Sequence, residues 1–186
     1  GGHCGGARYE EPLIPPGKAT NSRRMSRPAN SPRRPLDSFD KAILRIVQSD
    51  NKMPQRAIAE AVNLSAAAVQ RRIAAMEDAG IIRRNVALVD PAALGLTITS
   101  LVEVRLTDEH AATVAAAKAL FLDTPEIQQC YYVTGGISFV LVIVTADMPA
   151  YEALTRRLFV DNDRVESFRS LIALDRVKSD TSVIVP

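Results

Sequence analysis

The chain has 186 residues, a net charge of +2 and a hydrophobic content of 47%, which is enough to bury a core and excludes a fully disordered polymer. No apolar run approaches the roughly 18 residues that a membrane-spanning helix needs. Cys4 and Cys130 lack the CxxC spacing of zinc or redox sites, and the start of the chain lacks a secretory pattern. These features predict a cytoplasmic protein with no membrane contact.

Residues 1–36 form a basic segment whose composition differs from that of the rest of the chain. The segment holds seven Lys or Arg against two Glu, and six of the eleven Pro. Without apolar periodicity it buries too little surface to offset its ordering entropy, so we predict a disordered tail. It is either a solvated extension, with Met25 as a possible native start, or an arm attracted to DNA phosphates. The arginines of such an arm are Arg23, Arg24, Arg27, Arg33 and Arg34.

Residues 37–80 show the periodicity of three short amphipathic helices. Asp37 and Ser65 are suitable N-caps for the first and third helices, and Pro54 suits the first turn of the second. Gly80 is a natural residue for a left-handed C-cap of the third helix. The predicted core residues are Phe39, Ile43, Ile46 and Val47 in the first helix, Ile58, Ala59 and Val62 in the second, and Val69, Ile73 and Met76 in the third.

The second and third helices predict a helix-turn-helix unit. In this arrangement the third helix enters the major groove of DNA. A helical projection from Val69 places Arg71 on the far side, with Gln70 on one flank and Arg72 on the other. The small residues that begin this helix permit a close approach to bases. A solvated helix face is the alternative interpretation of the polar residues. The predicted DNA-contacting residues are Ser65, Ala66, Ala67, Gln70, Arg71 and Arg72.

Residues 81–95 predict a linker, made of an extended strand over 81–90 and a turn or short helix over 91–95. The remaining residues, 96–186, alternate strand and helix patterns in the order βαββαβ, which is the ferredoxin-like motif. The whole chain is therefore expected to be an α+β protein. One face of such a sheet stays uncovered and needs a partner, so we expect a homo-oligomer. The predicted elements are strands 96–106, 127–134, 137–145 and 165–178 and helices 108–122 and 148–160, with a hairpin turn at Gly135–Gly136.

Five stretches of this sequence resemble the Lrp/AsnC family of leucine-responsive and asparagine-synthesis type regulators. They are Leu36–Leu44, Ile58–Ser65, Val69–Ile73, Met76–Ile82 and Tyr132–Gly136. The resemblance covers residues 36 to about 183. It implies a winged or plain helix-turn-helix domain joined to an amino-acid-sensing domain, which binds double-stranded DNA as dimers or octamers and needs no cofactor.

The resemblance also implies an effector site around the turn after the second strand of the second domain. In this chain the turn comprises Val133, Thr134, Gly135, Gly136 and Ser138. Family members commonly carry a Gly-Asp-x-Asp pattern there, whereas this chain has Gly136 and Ser138 at the two positions where the family has Asp. Without those carboxylates the turn lacks its best partners for a ligand ammonium, although the backbone donors could still hold a carboxylate. A plain hairpin turn is the alternative interpretation.

Two other function classes remain as alternatives to a DNA-binding regulator. A sirohaem-decarboxylase-like enzyme shares the same two-domain arrangement, but the only histidines are His3 and His110, which cannot assemble a catalytic set. His3 and Cys4 alone cannot complete a metal site. A sensing module that no longer binds DNA is the other alternative. We expect Cys130 to be a small packed residue.

Overall fold

The computed structural model describes residues 35–186, so the predictions for the basic tail over residues 1–34 lie outside the described residues. The described chain divides into two compact units, one of residues 35–47 and 52–83 and the other of residues 48–51 and 84–186. No helix in the described part is long and apolar enough to cross a bilayer.

The first unit is built from three helices, α1 (Ser38–Ser49), α2 (Gln55–Val62) and α3 (Ala66–Asp78). The Ser65 hydroxyl accepts a hydrogen bond of 3.2 Å from the Ala68 amide, which confirms it as the N-cap of α3. Asn63 adopts φ 54° between α2 and α3, and Gly80 adopts φ 68° after α3. These two left-handed residues end their helices, because Asn and Gly tolerate positive φ better than other residues do.

The core of the first unit follows the predicted apolar stripe in α2, whereas Ile46 and Val47 of α1 and Ile73 of α3 are only half-buried. Phe39 is 40% exposed, whereas Leu44, which the helical stripe omitted, is buried. The predicted apolar stripe begins too close to the start of α1, where Phe39 is only partly buried. The fully or largely buried apolar side chains are Ile43, Leu44, Ile58, Ala59, Val62, Val69 and Met76.

The segment between α3 and the sheet contains no strand over residues 81–97, so the predicted linker strand is absent. A short 3-10 helix, Ala92–Leu94, ends at Gly95, whose φ is 74°. Val86, Leu88 and Val89 are each more than half exposed. Within this chain the segment therefore has neither the hydrogen bonds of a ladder nor a buried apolar face.

The second unit is a four-stranded antiparallel sheet in the order β2-β3-β1-β4, with two helices, which confirms the predicted βαββαβ arrangement. Both helices supply buried residues to the same core as the strands. Helix α5 continues into a π-helical turn, Arg156–Val160, which buries Leu158 and Phe159. The elements are β1 (Ile98–Leu106), α4 (Ala111–Leu122), β2 (Ile127–Tyr132), β3 (Phe139–Thr145), α5 (Met148–Thr155) and β4 (Val165–Ile172).

Several predicted boundaries in the second unit were too long. Strand β4 ends at Ile172 rather than Lys178, and the hairpin between β2 and β3 spans residues 133–138 rather than two glycines. Helix α4 begins at Ala111, because the Asp108 carboxylate accepts a hydrogen bond from the His110 amide and forms a local turn before it. Sequence periodicity continues through such segments although the pairing has stopped.

One face of the sheet is covered by α4 and α5, and the other face is open. Val102, Val104 and Leu106 alternate inward along β1 and are buried. On the open face Leu101 lies opposite Leu171 of β4, and both side chains remain 40–46% exposed. This face combines exposed apolar side chains with an ion pair between Glu103 and Arg169.

Candidate functional site

The exposed face of α3 carries most of the residues predicted to contact DNA. Ser65, Ala66, Ala67, Gln70 and Arg71 are all exposed on it. The Arg71 side chain forms no ion pair with any of residues 35–186. The start of α3 therefore presents small residues, followed by an amide and a guanidinium that are available to a ligand.

Arg72 differs from this group, because it is held inside the first unit. Its Nη1 donates to Asp37 Oδ2 at 2.7 Å and to Asp40 Oδ1 at 2.8 Å. Its side chain is only 22% exposed, and the guanidinium carbon lies 5.4 Å from the centre of the Phe39 ring. The expectation that Arg72 is an outward-facing reader therefore needs correction. Arg72 lies three residues after Val69 and four residues before Met76, which places it at the edge of the buried face of α3.

The two acids that hold Arg72 also begin α1. The Asp40 amide donates to Asp37 Oδ1 at 2.8 Å, and the Asp37 amide donates to Asp40 Oδ2 at 3.3 Å, which is the reciprocal pattern of a capping box. The hydrogen bond from the Asp40 amide, followed by that from Arg72, lowers the pKa of Asp37. The same acids raise the pKa of Arg72, with Asp37 contributing most. Asp40 is fully buried and Asp37 is half-exposed.

The predicted effector turn, residues 133–138, joins β2 to β3. Gly135 and Gly136 adopt φ values of 110° and 89°, which non-glycine residues rarely adopt. Thr134 and both glycines are exposed, and Val133 is half-buried. The Val133 amide donates to the Ser138 carbonyl at 3.0 Å, which closes the turn. The turn therefore offers exposed backbone rather than side chains.

Ser138 is buried, so its hydroxyl cannot be an exposed ligand contact as we expected. Only 1% of Ser138 is exposed. Its Oγ accepts from the Leu106 amide at 3.0 Å and donates to Glu109 Oε1 at 2.5 Å. The Tyr132 hydroxyl donates to Glu109 Oε2 at 2.7 Å. Ser138 thus ties the turn to the end of β1 and to a carboxylate outside the turn.

Glu109 gives the turn region a charged group that the turn sequence lacks. Hydrogen bonds from Ser138, and then from Tyr132, lower the pKa of Glu109, and the residue is exposed. The bond to Glu109 is in turn the main cause of a raised pKa for Tyr132. A carboxylate accepts about four hydrogen bonds, so Glu109 retains capacity for a further donor.

An arginine also lies next to the turn. A Cβ added to Gly136 would lie 3.7 Å from Arg105 Nη2. Arg105 is half-exposed and is 3.7 Å from the Glu166 carboxylate, which is a loose ion pair. The position where an acidic residue was expected therefore has a guanidinium next to it.

Comparison with known proteins covers both units of the chain. Residues 36–83 match a family model for winged helix-turn-helix DNA-binding domains, and residues 99–183 match the Lrp/AsnC ligand binding domain. An uncharacterized HTH-type transcriptional regulator of Sinorhizobium fredii is 37% identical over 148 residues, which cover 80% of this chain and 88% of the relative. The chain belongs to the Lrp/AsnC family.

Solved structures of Lrp/AsnC regulators have the same fold. An AsnC family transcriptional regulator from Agrobacterium tumefaciens has a TM-score of 0.75 and 30% identity, with coverage of 80% of this chain and 97% of that one. A transcriptional regulator from Neisseria meningitidis, solved in complex with L-Met, has a TM-score of 0.76 and 26% identity, with coverage of 81% and 97%. The chain is thus a DNA-binding transcriptional regulator with a ligand-binding domain.

Around the β2–β3 turn, the sequence interpretation missed two charged residues, Glu109 and Arg105. The strand order places both residues near the turn, because β1 ends beside the start of β3, where Val104 lies opposite Phe139. Residues at the end of β1 and in the loop after it must therefore approach the β2–β3 turn. This signal could have identified Glu109 before the structure was known.

Two further residues that the sequence analysis named, His110 and Cys130, form no contact with a predicted site residue that the structure records. His110 is the N-cap residue of α4, and its side chain is 85% exposed beside Asp108. Cys130 is half-buried against the core of the second unit, and burial raises the pKa of its thiol. Within residues 35–186 no group of three His, Cys, Asp or Glu is arranged to hold a metal ion.

Proposed function

We propose that this regulator recognises specific DNA sequences as a dimer or higher oligomer, and that a small molecule such as an amino acid modulates it. The main observation behind this proposal is the exposed start of α3, where small residues precede Gln70 and Arg71. Arg71 forms no ion pair within residues 35–186. Small side chains permit close approach to the groove, and a free guanidinium can bind a guanine edge or a phosphate. A dimer presents two copies of α3 to successive major-groove half-sites.

The DNA-binding part of the proposal is tested by fluorescence anisotropy with a labelled duplex from upstream of the coding region and a shuffled duplex, across a salt series. A preference for the upstream duplex that persists as salt rises supports specific recognition. Arg71→Ala should weaken specific binding about 5- to 150-fold. Arg157→Ala is the control, because it removes the same charge from an exposed site in the other unit.

Two results would contradict this part. Equal, salt-sensitive binding to both duplexes would indicate an architectural role. Absence of binding by a folded protein would favour the sensing-module alternative.

The oligomer is supported by the open face of the sheet. Leu101, Tyr131 and Leu171 are 40–54% exposed there, and Val140 and Val142 lie between them on the same face. Exposed apolar patches of this kind are typical of protein–protein interfaces. We expect Leu171→Lys to shift the sedimentation coefficient toward the monomer, whereas Leu122→Lys, on exposed α4 surface, should leave it unchanged. An unchanged oligomer in Leu171→Lys would exclude this face as the interface.

The effector is supported by the exposed turn and by the charged residues next to it. The Glu109 carboxylate can accept hydrogen bonds from a ligand ammonium, while Arg105 and the glycine amides can donate hydrogen bonds to a ligand carboxylate. The Neisseria meningitidis relative was solved with L-Met, which supports amino acids as the first ligands to test. Calorimetric titration of the twenty amino acids into the wild type and Glu109→Gln tests the proposal. Binding that Glu109→Gln leaves unchanged would exclude Glu109 as a contact.

A further inference from the structure

We propose that Arg72 is a positioning residue: it fixes the rotation of α3 against the start of α1 and does not itself contact DNA. This inference rests on the proposed DNA-binding role of α3. Its basis is the cluster of Arg72, Asp37, Asp40 and Phe39, which we call the α1–α3 clamp.

The clamp joins two helices through directional, charged hydrogen bonds. One nitrogen of Arg72 lies within 2.7–2.8 Å of a carboxylate oxygen from each acid. The acids are themselves held by reciprocal bonds to each other's amides at the start of α1. Phe39 supplies an aromatic face for the same guanidinium, at 5.4 Å. Three groups at the N-terminus of α1 therefore contact the Arg72 guanidinium.

Apolar contacts alone leave the rotation of α3 loosely defined. Val69 and Met76 are the buried residues of α3, and Ile73 is half-buried beside them. Dispersion and burial are non-directional, whereas the charge-assisted hydrogen bonds that the Arg72 guanidinium donates to two carboxylates are directional. Arg71 projects about 100° from Arg72 around the helix. Any rotation that the clamp prevents would displace the exposed Arg71 guanidinium from its DNA partner.

The clamp also determines how Arg72 contributes to electrostatic attraction. Two carboxylates within hydrogen-bonding distance offset its single positive charge, and the side chain is mostly covered. Log affinity falls as log salt concentration rises, and each phosphate contact by a free cation makes this slope steeper by about 0.9. Arg72 should therefore add little to that slope, in contrast to an exposed arginine.

The decisive test is Asp37→Asn, because the two possible roles of Arg72 predict changes of opposite sign. Asn remains a good N-cap, so the substitution weakens the clamp without removing the start of α1. If Arg72 contacts DNA, removing an acid beside it frees the guanidinium and raises affinity. If Arg72 is a clamp, specific affinity falls, and we expect a loss of about threefold.

Arg72→Gln and Arg71→Ala complete the comparison. Arg72→Gln should lower specific affinity about tenfold while leaving the salt slope within about 0.3 of the wild type. Arg71→Ala should lower the slope by about 0.9 if it contacts a phosphate. A reduced slope in Arg72→Gln together with tighter binding by Asp37→Asn would overturn the clamp. Unchanged affinity in both Asp37→Asn and Arg72→Gln would also overturn it.

Amide hydrogen exchange without DNA separates failure of the clamp from failure of the proposed function. If the wild type binds no specific DNA, the proposed function fails, yet the clamp still predicts faster exchange in α3 of Asp37→Asn. Unchanged exchange in α3 would overturn the clamp whatever the DNA result. This readout also remains available if Arg72→Gln does not fold.

Discussion

Replacing Ser138 by Ala tests whether the hydroxyl holds the β2–β3 turn in place. The change removes the acceptor of the buried Leu106 amide, 3.0 Å away, and the donor to Glu109. A buried donor left without an acceptor costs about 1–3 kcal/mol. The bond to the exposed Glu109 carboxylate contributes less, because water replaces it. We therefore expect the free energy of unfolding to fall by about 2 kcal/mol.

The measurement is urea unfolding of the full chain, followed by far-UV circular dichroism because the chain contains no tryptophan. The protein concentration must be constant, since an oligomer makes apparent stability depend on it. Thr134→Ala is the control: Thr134 is exposed in the same turn, and its loss should change stability by less than about 0.5 kcal/mol. A Ser138→Ala variant as stable as this control would refute the proposed role of the hydroxyl.

Three further predictions concern pH, the glycine turn and the core. The pKa of folded Glu109 lies below its ordinary value of 4.5, so its stabilising effect is complete above that pH and is lost as pH falls through the folded pKa. When the free energy of unfolding is measured as a function of pH, Glu109→Gln should lack this loss of stability in acid. Identical acid profiles for the variant and the wild type would contradict the prediction. Gly136→Asp should lower stability by more than about 1 kcal/mol, because φ is 89°; stability equal to the wild type would show that the backbone relaxes. Phe121→Ala should cost about 3–5 kcal/mol, against less than about 0.5 kcal/mol for the exposed Leu122→Ala. Urea unfolding measures both changes, and a Phe121→Ala cost similar to that of Leu122→Ala would contradict the assigned core.

Local signals in the sequence were sufficient for most of the elements. Asp37 and Ser65 begin helices because their side chains accept hydrogen bonds from amides three residues later. The alternation along β1 is confirmed, with Val102, Val104 and Leu106 buried. These features depend on residues close in sequence, and so a single chain contains the information that specifies them.

The side-chain partners in both candidate regions could not be predicted in the same way. Arg72 reaches Asp37 across 35 residues, and Ser138 reaches Glu109 across 29. A helical projection separates a buried from an exposed face, but Arg72 lies between the two, where a long side chain can turn either way. The choice depends on whether a carboxylate is available on the neighbouring helix. That information resides in the tertiary arrangement.

The proposed effector control has a thermodynamic requirement that follows from the division of the chain. A ligand at the turn, which belongs to a different compact unit from α3, acts through assembly in this proposal. It changes DNA occupancy only if it binds one assembly state more tightly than another. To reverse a 1:99 population it needs a preference of about 10⁴-fold, and an equal affinity for both states changes nothing. By reciprocity, DNA that selects the same assembly must tighten effector binding by the same factor. Titrating effector in the presence and absence of specific DNA therefore measures the coupling directly, and equal affinities would exclude control through assembly.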